Sequence, residues 1–307
     1  MEKVSIIVLT YNQEDTIRRT LDSILGQRTS YTYCIYIGDD GSKDSTRTIC
    51  EEYSTRSNVK LMQKSPNKGV VKNYFDVLKI CEGEYIMGCA GDDWWHNPNK
   101  IQLQIDYMDS HPECSLCHGA CLEFYPASNT TIINKGFHTD NPTENLLYSN
   151  YISAPSVCYR KKYITDEIIE SFQLRKYRVE DYPLWLQLSL KGDFHMFNEP
   201  LVSYTIQRGS IFHCETYEKR MELLSSTYQI RRDFITDNNL ETTYGQLIND
   251  IYNKLAAQMA ILYGRQSEAI SHLKKVKHID TKWRIVKILI HNSLLFKCLH
   301  KYYSRHL

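Results

Sequence analysis

Short apolar runs alternate with amphipathic stretches along the first third of the chain. Four runs are too short for helices and predict buried strands: Val4 to Leu9, Cys34 to Gly38, Val59 to Gln63 and Tyr85 to Ala90. Amphipathic stretches predict helices at about residues 14–27, 46–54, 71–81 and 100–109. Strands and helices that alternate at this spacing form βαβ units. The pattern therefore predicts an α/β fold with a mainly parallel sheet flanked by helices.

Polar side chains follow three of the predicted strands. They are the pairs Tyr11-Asn12, Asp39-Asp40 and Asp92-Asp93. The carboxyl ends of parallel strands share one sheet edge, where such sheets bind ligands. Carboxylates together with phosphate oxygens hold hard divalent cations. The pattern predicts a site for a divalent metal and phosphate. A turn with solvated acids is the alternative interpretation for Asp92-Asp93 alone.

The later part of the chain has a different pattern. Residues 124–150 are rich in Asn, Thr, Ser and Pro and predict a long loop, whereas long amphipathic helices begin near residue 215. The final segment, 282–307, has six Lys/Arg residues and no acid among bulky apolar residues. This composition favours contact with an anionic membrane surface. A terminal helix that packs on its own domain or on a second subunit is the alternative.

Composition limits the classes of function. The net charge of +1 argues against a nucleic-acid binder. The amino terminus lacks the pattern of a signal peptide, and the chain lacks an apolar run long enough to span a membrane. We therefore expect a cytoplasmic protein, peripheral on the inner membrane face, whose ten cysteines are reduced. The motif from Cys114 to His118 resembles haem attachment, but buried strand thiols are the favoured interpretation.

Four segments together resemble the family 2 glycosyltransferases. They are Val4-Ser-Ile-Ile-Val-Leu-Thr-Tyr-Asn12, Asp39-Asp-Gly-Ser-Lys-Asp-Ser45, Asn67-Lys-Gly69 and the stretch from Gly83 through Gly91-Asp-Asp-Trp94. The resemblance covers about the first two-thirds of the chain in the family's order and spacing. It implies the GT-A (Rossmann-like) fold and an inverting enzyme that uses nucleotide sugars. A helical appendage at the carboxyl terminus lies outside the resemblance.

The resemblance also implies roles for individual residues at the donor site. The expected donor-binding residues are Thr10, Tyr11, Asn12, Glu14, Asp39, Asp40, Lys68, Gly69, Asp92 and Arg208. The family's acidic motif falls on Asp92 and Asp93, which would hold Mn²⁺ or Mg²⁺. The commoner form of this motif begins with a further acid, and Ala90 stands in its place. Trp94 and Trp95 would contact the acceptor, although one of them is equally well interpreted as core.

A second acid pair, Glu180-Asp181, precedes an apolar helical stretch. Taken alone, the pair could simply stabilise the amino terminus of that helix. The resemblance makes Asp181 the catalytic base, with Glu180 assisting on the acceptor side. Inversion needs a base opposite the leaving diphosphate to deprotonate the attacking hydroxyl.

These expectations define a domain plan and a function. Residues 1–213 would form the GT-A domain, with a nucleotide-binding part (1–93) and an acceptor part (94–213), and residues 214–307 a helical region. The favoured donor is a UDP-sugar, and the favoured acceptor is a lipid-linked oligosaccharide of surface polysaccharide. An oligomer is compatible with the sequence. The rival hypotheses are a non-catalytic or partner-dependent nucleotide-sugar-binding protein and a nucleotidyltransferase, which usually has a glycine-rich loop after its first strand.

Overall fold

The computed structural model describes residues 2–206 and 216–304. The chain divides into two compact units, Met1–Gln207 and Arg208–Leu307. The first unit is α/β and the second is helical in its described part. Within the described residues, no helix combines the length and apolarity needed to cross a membrane.

The first half of unit one is a parallel α/β layer. Its strands are β1 (Val4–Thr10), β2 (Tyr33–Asp39), β3 (Val59–Leu61) and β4 (Tyr85–Ala90). Its helices are α1 (Ile17–Leu25), α2 (Thr46–Tyr53), α3 (Val70–Ile80) and α4 (Lys100–Ser110). The strands lie in the order β3-β2-β1-β4 with every pairing parallel. The apolar runs are buried on both faces, as a helix-covered parallel sheet requires.

The second half extends the same sheet. It adds the strands β5 (Cys114–Tyr125), β6 (Thr130–Asn134), β7 (Cys158–Arg160) and β8 (Asp193–Thr205). The helices here are α5 (Pro142–Tyr148), α6 (Asp166–Leu174) and α7 (Asp181–Leu188). β7 joins β4 and β5 by antiparallel pairing, whereas β8 runs parallel to β5 along most of its length. The predicted class, a mainly parallel sheet flanked by helices, is confirmed.

The second unit is a set of helices with its own core. They are α8 (Tyr217–Asp237), α9 (Glu241–Leu262), α10 (Gln266–Lys275), α11 (Thr281–Leu289) and α12 (Ser293–Ser304). Ala257, Ala260 and Leu273 are among its buried residues. Asp250 on α9 is also buried, and its carboxylate accepts the backbone N–H groups of Lys277 and His278, each at 2.9 Å. This carboxylate fixes the turn after α10.

Three local expectations were wrong. Helix α1 begins at Ile17, so Glu14 lies in the preceding turn instead of opening the helix. The segment expected to be a long loop completes β5 and contains β6 and α5. The carboxyl-terminal segment forms two helices, because the Asn292 side chain accepts the backbone N–H groups of Leu294 and Leu295 at 2.9 and 3.2 Å and starts α12 anew.

Candidate active site

Three loops leave the sheet side by side at one edge. In the sheet register, Thr10 on β1 pairs with Asp39 on β2, and Leu9 pairs with Ala90 on β4. The three strands are parallel, so their following loops emerge together at the carboxyl edge. The polar residues that follow β1, β2 and β4 therefore lie near one another, as the sequence predicted.

The loop after β1 is tied to the loop after β2. The backbone N–H of Asn12 donates to Ser42 Oγ at 2.9 Å, and the Asn12 side-chain oxygen accepts the N–H of Lys43 at 2.8 Å. Asn12 has a φ of 52°, a left-handed conformation that asparagine tolerates better than most residues. Tyr11 is 42% exposed, whereas Thr10 is buried. The Tyr11 ring is therefore open to a ligand such as a nucleotide base.

Asp39 and Asp40 are nearly buried, and their carboxylates accept hydrogen bonds from the protein itself. Asp39 accepts the backbone N–H of Ser42 at 3.2 Å and also bonds its hydroxyl. Asp40 accepts the backbone N–H groups of Lys68 and Gly69 at 2.9 and 3.0 Å. The carboxylates thus hold the loops in place, and Asp40 links the end of β2 to the start of α3.

The remaining expected donor-site residues also have structural partners. Glu14 Oε2 accepts the backbone N–H of Ser45 at 2.8 Å. The Lys68 ammonium pairs with Asp76 at 2.8 Å. Gly69 has a φ of 86° at the start of α3, a conformation that favours glycine. Arg208 lies outside the described residues.

The acidic stretch after β4 is held at close range. A Cβ atom on Gly91 would collide with the Gln13 side chain and lie 2.8 Å from Thr10 Oγ1, so only glycine fits there. Asp93 is buried and accepts the backbone N–H of Thr205 at 2.8 Å, while the Thr205 hydroxyl donates to the Asp92 carbonyl at 2.5 Å. Strand β8 therefore fixes this stretch and leaves the half-buried Asp92 as the carboxylate nearer the surface.

Helix α1 supports the stretch from the other side. An Arg19 guanidinium nitrogen donates to the Asp92 carbonyl at 3.1 Å, and its central carbon lies 3.7 Å from the centre of the Trp94 ring. Burial raises the pKa of Asp92, and the positive charge of Arg19 offsets only part of this effect. Burial and the neighbouring Asp92 charge raise the pKa of Asp93 well above its usual range. Burial therefore favours the protonated form of both carboxyl groups, and a bound cation would favour the ionised form.

A divalent cation fits this donor set only if a ligand completes it. In the part of the chain that the structure describes, no group of three or more His, Cys, Asp or Glu side chains could hold a metal. Cations such as Mg²⁺ are commonly held by one or two carboxylates together with substrate phosphates. Ala90 is exposed at the end of β4, where the commoner motif has another acid. Asp92 is therefore the residue best placed to share a cation with a diphosphate.

The two tryptophans after the acids differ in exposure. Trp95 is 3% exposed and belongs to the core of unit one, with the Lys100 ammonium 4.3 Å from its ring centre. Trp94 is half-buried between Arg19 and Phe124, whose ring centre is 5.6 Å away. Trp95 is thus the tryptophan that belongs to the core, and Trp94 is the one that has accessible surface.

The second acid pair begins α7. Asp181 accepts the backbone N–H of Tyr182 at 2.6 Å and the Asn150 amide at 3.4 Å. Glu180 occupies the position before the helix without capping it through its side chain. Burial raises the pKa of Asp181, whereas burial and then the charge of Asp181 raise that of Glu180. A carboxyl with a raised pKa is a stronger base when ionised, as proton abstraction requires.

Tyr204 on β8 connects the two acid pairs. Burial raises the pKa of its hydroxyl, and the charges of three carboxylates raise it further. These carboxylates belong to Asp93, Asp92 and Asp181. Coulomb interaction weakens with distance, so the Tyr204 hydroxyl lies within electrostatic range of both acid pairs. Strand β8 therefore carries Thr205, which binds the first acid pair, next to a tyrosine that is affected by the charge of the second.

Sequence reasoning assigned no role to Tyr204, Arg19 or Asn150. Each acts on an acid that is distant in sequence, and none belongs to a motif of its own.

Comparisons with known proteins identify the family and the fold. The sequence profile of glycosyl transferase family 2 matches residues 5–163. An uncharacterized protein of Mycobacterium tuberculosis is 31% identical over 221 residues, covering 71% of this chain and 62% of the relative. The chain thus matches less than two thirds of that protein. The Escherichia coli UDP-Glc:α-D-GlcNAc-diphosphoundecaprenol β-1,3-glucosyltransferase WfaP is 31% identical over 223 residues, covering 69% of this chain and 80% of WfaP.

Solved structures show the same fold. S. aureus TarS 1–349, in complex with UDP-GlcNAc, aligns with a TM-score of 0.54 at 17% identity over 99% of this chain and 90% of TarS 1–349. The mannosyltransferase PcManGT of Pyrobaculum calidifontis, in complex with GDP-Man and Mn²⁺, aligns with a TM-score of 0.56 at 12% identity over 98% and 87% of the two chains. The fold is that of GT-A glycosyltransferases. With the family profile matching more than half of its length, this chain belongs to glycosyl transferase family 2.

Proposed function

We propose that this enzyme transfers a sugar from a nucleotide sugar to an acceptor hydroxyl with inversion at the anomeric carbon. The observation that carries the proposal is the set of two acid pairs, one bound to Thr205 of β8 and the other close enough to affect the pKa of the neighbouring Tyr204. One pair follows β4 beside the exposed Tyr11, and the other begins α7. A donor diphosphate at the first pair and an acceptor hydroxyl at the second would then react within one region of the domain.

In this proposal Asp181 is the general base. The backbone N–H of Tyr182 and the Asn150 amide hold its carboxylate in one orientation. Burial and the charge of Asp181 raise the pKa of Glu180 to about 8, so Glu180 can stay protonated while Asp181 is ionised. Asp181 takes the proton from the acceptor hydroxyl as the oxygen attacks the sugar and the nucleoside diphosphate leaves.

The donor side is assigned to Tyr11, Asp92 and the loops around them. Tyr11 would contact the base, and Asp39 and Asp40 would shape the pocket through the loops that they hold. A Mn²⁺ or Mg²⁺ ion bound with the donor would neutralise charge on the leaving diphosphate. Asp92 would share that ion with the diphosphate. Asp93 would then act mainly by fixing Asp92 against β8.

UDP is the proposed nucleotide and a lipid-linked saccharide the proposed acceptor. WfaP is named for UDP-glucose and a diphosphoundecaprenol acceptor, and TarS 1–349 has been solved with UDP-GlcNAc. The domain plan extends the proposal: residues 1–93 would bind the nucleotide and 94–213 the acceptor. The enzyme would work in the cytoplasm at the inner membrane face. Which sugar moves depends on a few hydrogen bonds in the pocket.

A ligand panel tests the proposal. Melting temperature is measured with UDP, GDP, dTDP and their common sugars, each with and without Mn²⁺. A ligand that binds only the folded state raises the melting temperature. We expect the largest rise in melting temperature with UDP compounds, and a further increase when Mn²⁺ is present. NMR of the transfer product should then show that the anomeric configuration is inverted.

The rival hypothesis of a non-catalytic binder has one observation in its favour, Ala90 in the acidic motif. It predicts the same thermal shift but no transfer with any lipid-linked acceptor. Two outcomes would contradict the proposed reaction itself. The product could retain the anomeric configuration of the donor, or none of the UDP compounds could raise the melting temperature.

A further inference from the structure

Helices α11 and α12 have two separate apolar faces. One face holds them to the rest of the second unit: Trp283, Val286, Ile290 and Phe296 are buried in its core. On α11 these residues recur every three or four positions, so they occupy a single side of the helix. This face alone satisfies the alternative in which the carboxyl-terminal segment packs on its own domain.

The opposite side presents large aliphatic residues to solvent. Ile288 is 72% exposed and Leu294 is 69% exposed, with Ile285 and Leu295 exposed beside them. Single exposed aliphatic residues are common on protein surfaces. Here they fall on two consecutive helices and on the side away from the core. We call this side, with its neighbouring cations, the outer face.

The charged residues of α11 and α12 are all positive. Residues 281–304 contain five Lys/Arg residues and no Asp or Glu, although the whole chain carries a net charge of only +1. These cations are Lys282, Arg284, Lys287, Lys297 and Lys301. The acid just before α11, Asp280, is engaged elsewhere: it caps the helix through Trp283 N–H at 3.1 Å and pairs with Lys254 at 3.3 Å. The cations therefore act together on whatever this face contacts.

We propose that the outer face binds an anionic lipid surface. Aliphatic residues flanked by Lys and Arg bury their apolar parts at the headgroup boundary while the cations meet lipid phosphates. A second copy of the chain fits less well, because a symmetric contact would bring the same cations together. This contact would hold the enzyme at the membrane surface where a lipid-linked acceptor lies, a purpose that rests on the proposed function.

Flotation of the full chain with vesicles tests the charge component. Vesicles of phosphatidylcholine alone are compared with vesicles of equal parts phosphatidylcholine and phosphatidylglycerol, at low and high salt. We expect binding to the mixed vesicles only, weakened by salt. Each cation near an anionic surface contributes about fivefold, so Lys297→Gln with Lys301→Gln should lower the partition coefficient about 30-fold. The matched control is Lys135→Gln with Lys191→Gln, two exposed lysines of unit one.

A second pair of variants tests the apolar component. Ile288→Ser and Leu294→Ser each remove an exposed aliphatic side chain and leave the packed face intact. Each should lower the partition coefficient about tenfold, with an unchanged melting temperature. Leu174→Ser is the control, because Leu174 is 80% exposed in unit one. The control should bind vesicles like the wild type.

Three results would overturn the inference. They are failure of the wild type to bind mixed vesicles, equal binding to both vesicles, and retention of binding by the outer-face variants. Light scattering provides a fourth such result. If the wild type is a dimer that Ile288→Ser dissociates, and vesicle binding is unchanged in that variant, the outer face is a contact between subunits. The assay contains no nucleotide, so its failure leaves the proposed transfer reaction standing. The Asp181→Asn variant should float like the wild type even if it is inactive.

Discussion

Replacing Asp181 with asparagine should abolish transfer and leave the protein folded. The structure bounds the effect on stability. An asparagine side chain can still accept the backbone N–H of Tyr182, which Asp181 accepts at 2.6 Å. What is lost is the contact with the Asn150 amide, already long at 3.4 Å. A hydrogen bond of this type contributes about 1 kcal/mol to the free energy of unfolding.

The removed charge works in the opposite direction. Burial raises the pKa of Asp181, so the folded state binds this proton more tightly than the unfolded state. The carboxyl group therefore costs stability as pH rises from its unfolded pKa to its raised folded pKa, and the full cost remains above that range. Asparagine removes this cost. We expect the two effects to oppose each other at neutral pH, and the variant to gain stability relative to the wild type as pH rises from the unfolded pKa of the carboxyl, about 4, to its raised folded pKa.

Activity should respond very differently. Loss of a positioned general base typically lowers kcat by a factor of about 10² to 10⁴. Because the base must be ionised, wild-type kcat should fall as pH drops through the raised pKa of Asp181, and the variant should lose this acid limb. The assay is transfer from UDP-sugar to a lipid-linked acceptor across pH, with UDP-induced thermal shifts as the binding control. A variant with wild-type kcat, or with the same acid limb, would refute the assignment of Asp181.

Four further predictions follow from the contacts described. Asp92→Asn should eliminate the part of the UDP thermal shift that depends on Mn²⁺, and an unchanged metal-dependent shift would exclude Asp92 as ligand. Arg19→Gln removes a positive charge that lowers the pKa of Asp92, so the pKa of Asp92 should rise. When Mn²⁺-dependent UDP binding is measured across pH, its loss at low pH should begin at a higher pH than in the wild type, and an unchanged pH dependence would contradict this prediction. Tyr204→Phe should lower kcat about tenfold and leave UDP binding nearly unchanged. Unaltered kcat and KM would show that the Tyr204 hydroxyl has no role in the reaction and that the side chain only packs. Burial alone would raise the pKa of Asp250, but the hydrogen bonds that its carboxylate accepts lower the pKa below its usual value. The carboxylate therefore stabilises the folded state above the unfolded pKa, and this stabilisation is lost as pH falls through the folded pKa. Asp250→Asn should melt about 2–4 °C lower at pH 7, and circular dichroism should show this difference shrinking near pH 3.

Much of the fold could be predicted because its signals are local. Strands β1, β2 and β4 are apolar runs buried in a helix-covered sheet, and their ends identified the polar edge. Strand β6 gave no such signal: all of its residues are exposed, so burial does not force its side chains to alternate. The break between α11 and α12 had a local signal in Asn292, which the basic composition of the segment obscured.

The division of roles within the candidate site could not be predicted from the sequence. Asp92 and Asp93 are adjacent and chemically identical, and they differ because Thr205, far along the chain, donates to only one of the two carboxylates. Trp94 and Trp95 likewise separate into a half-buried and a core residue through their neighbours in space. Motif spacing locates such pairs, whereas tertiary hydrogen bonds and packing assign the members.

The attachment of the acidic stretch to β8 has a consequence for kinetic order. Trp94 and Ser203 exchange two backbone hydrogen bonds, of 3.1 and 2.8 Å, and Thr205 holds both acids. Thr205 binds the backbone carbonyl of Asp92, so a shift of this backbone on donor binding would move the strand that carries Tyr204. We therefore predict a sequential kinetic mechanism in which the nucleotide sugar binds first and the acceptor second. In product-inhibition experiments, the nucleoside diphosphate should be competitive with the donor and noncompetitive with the acceptor.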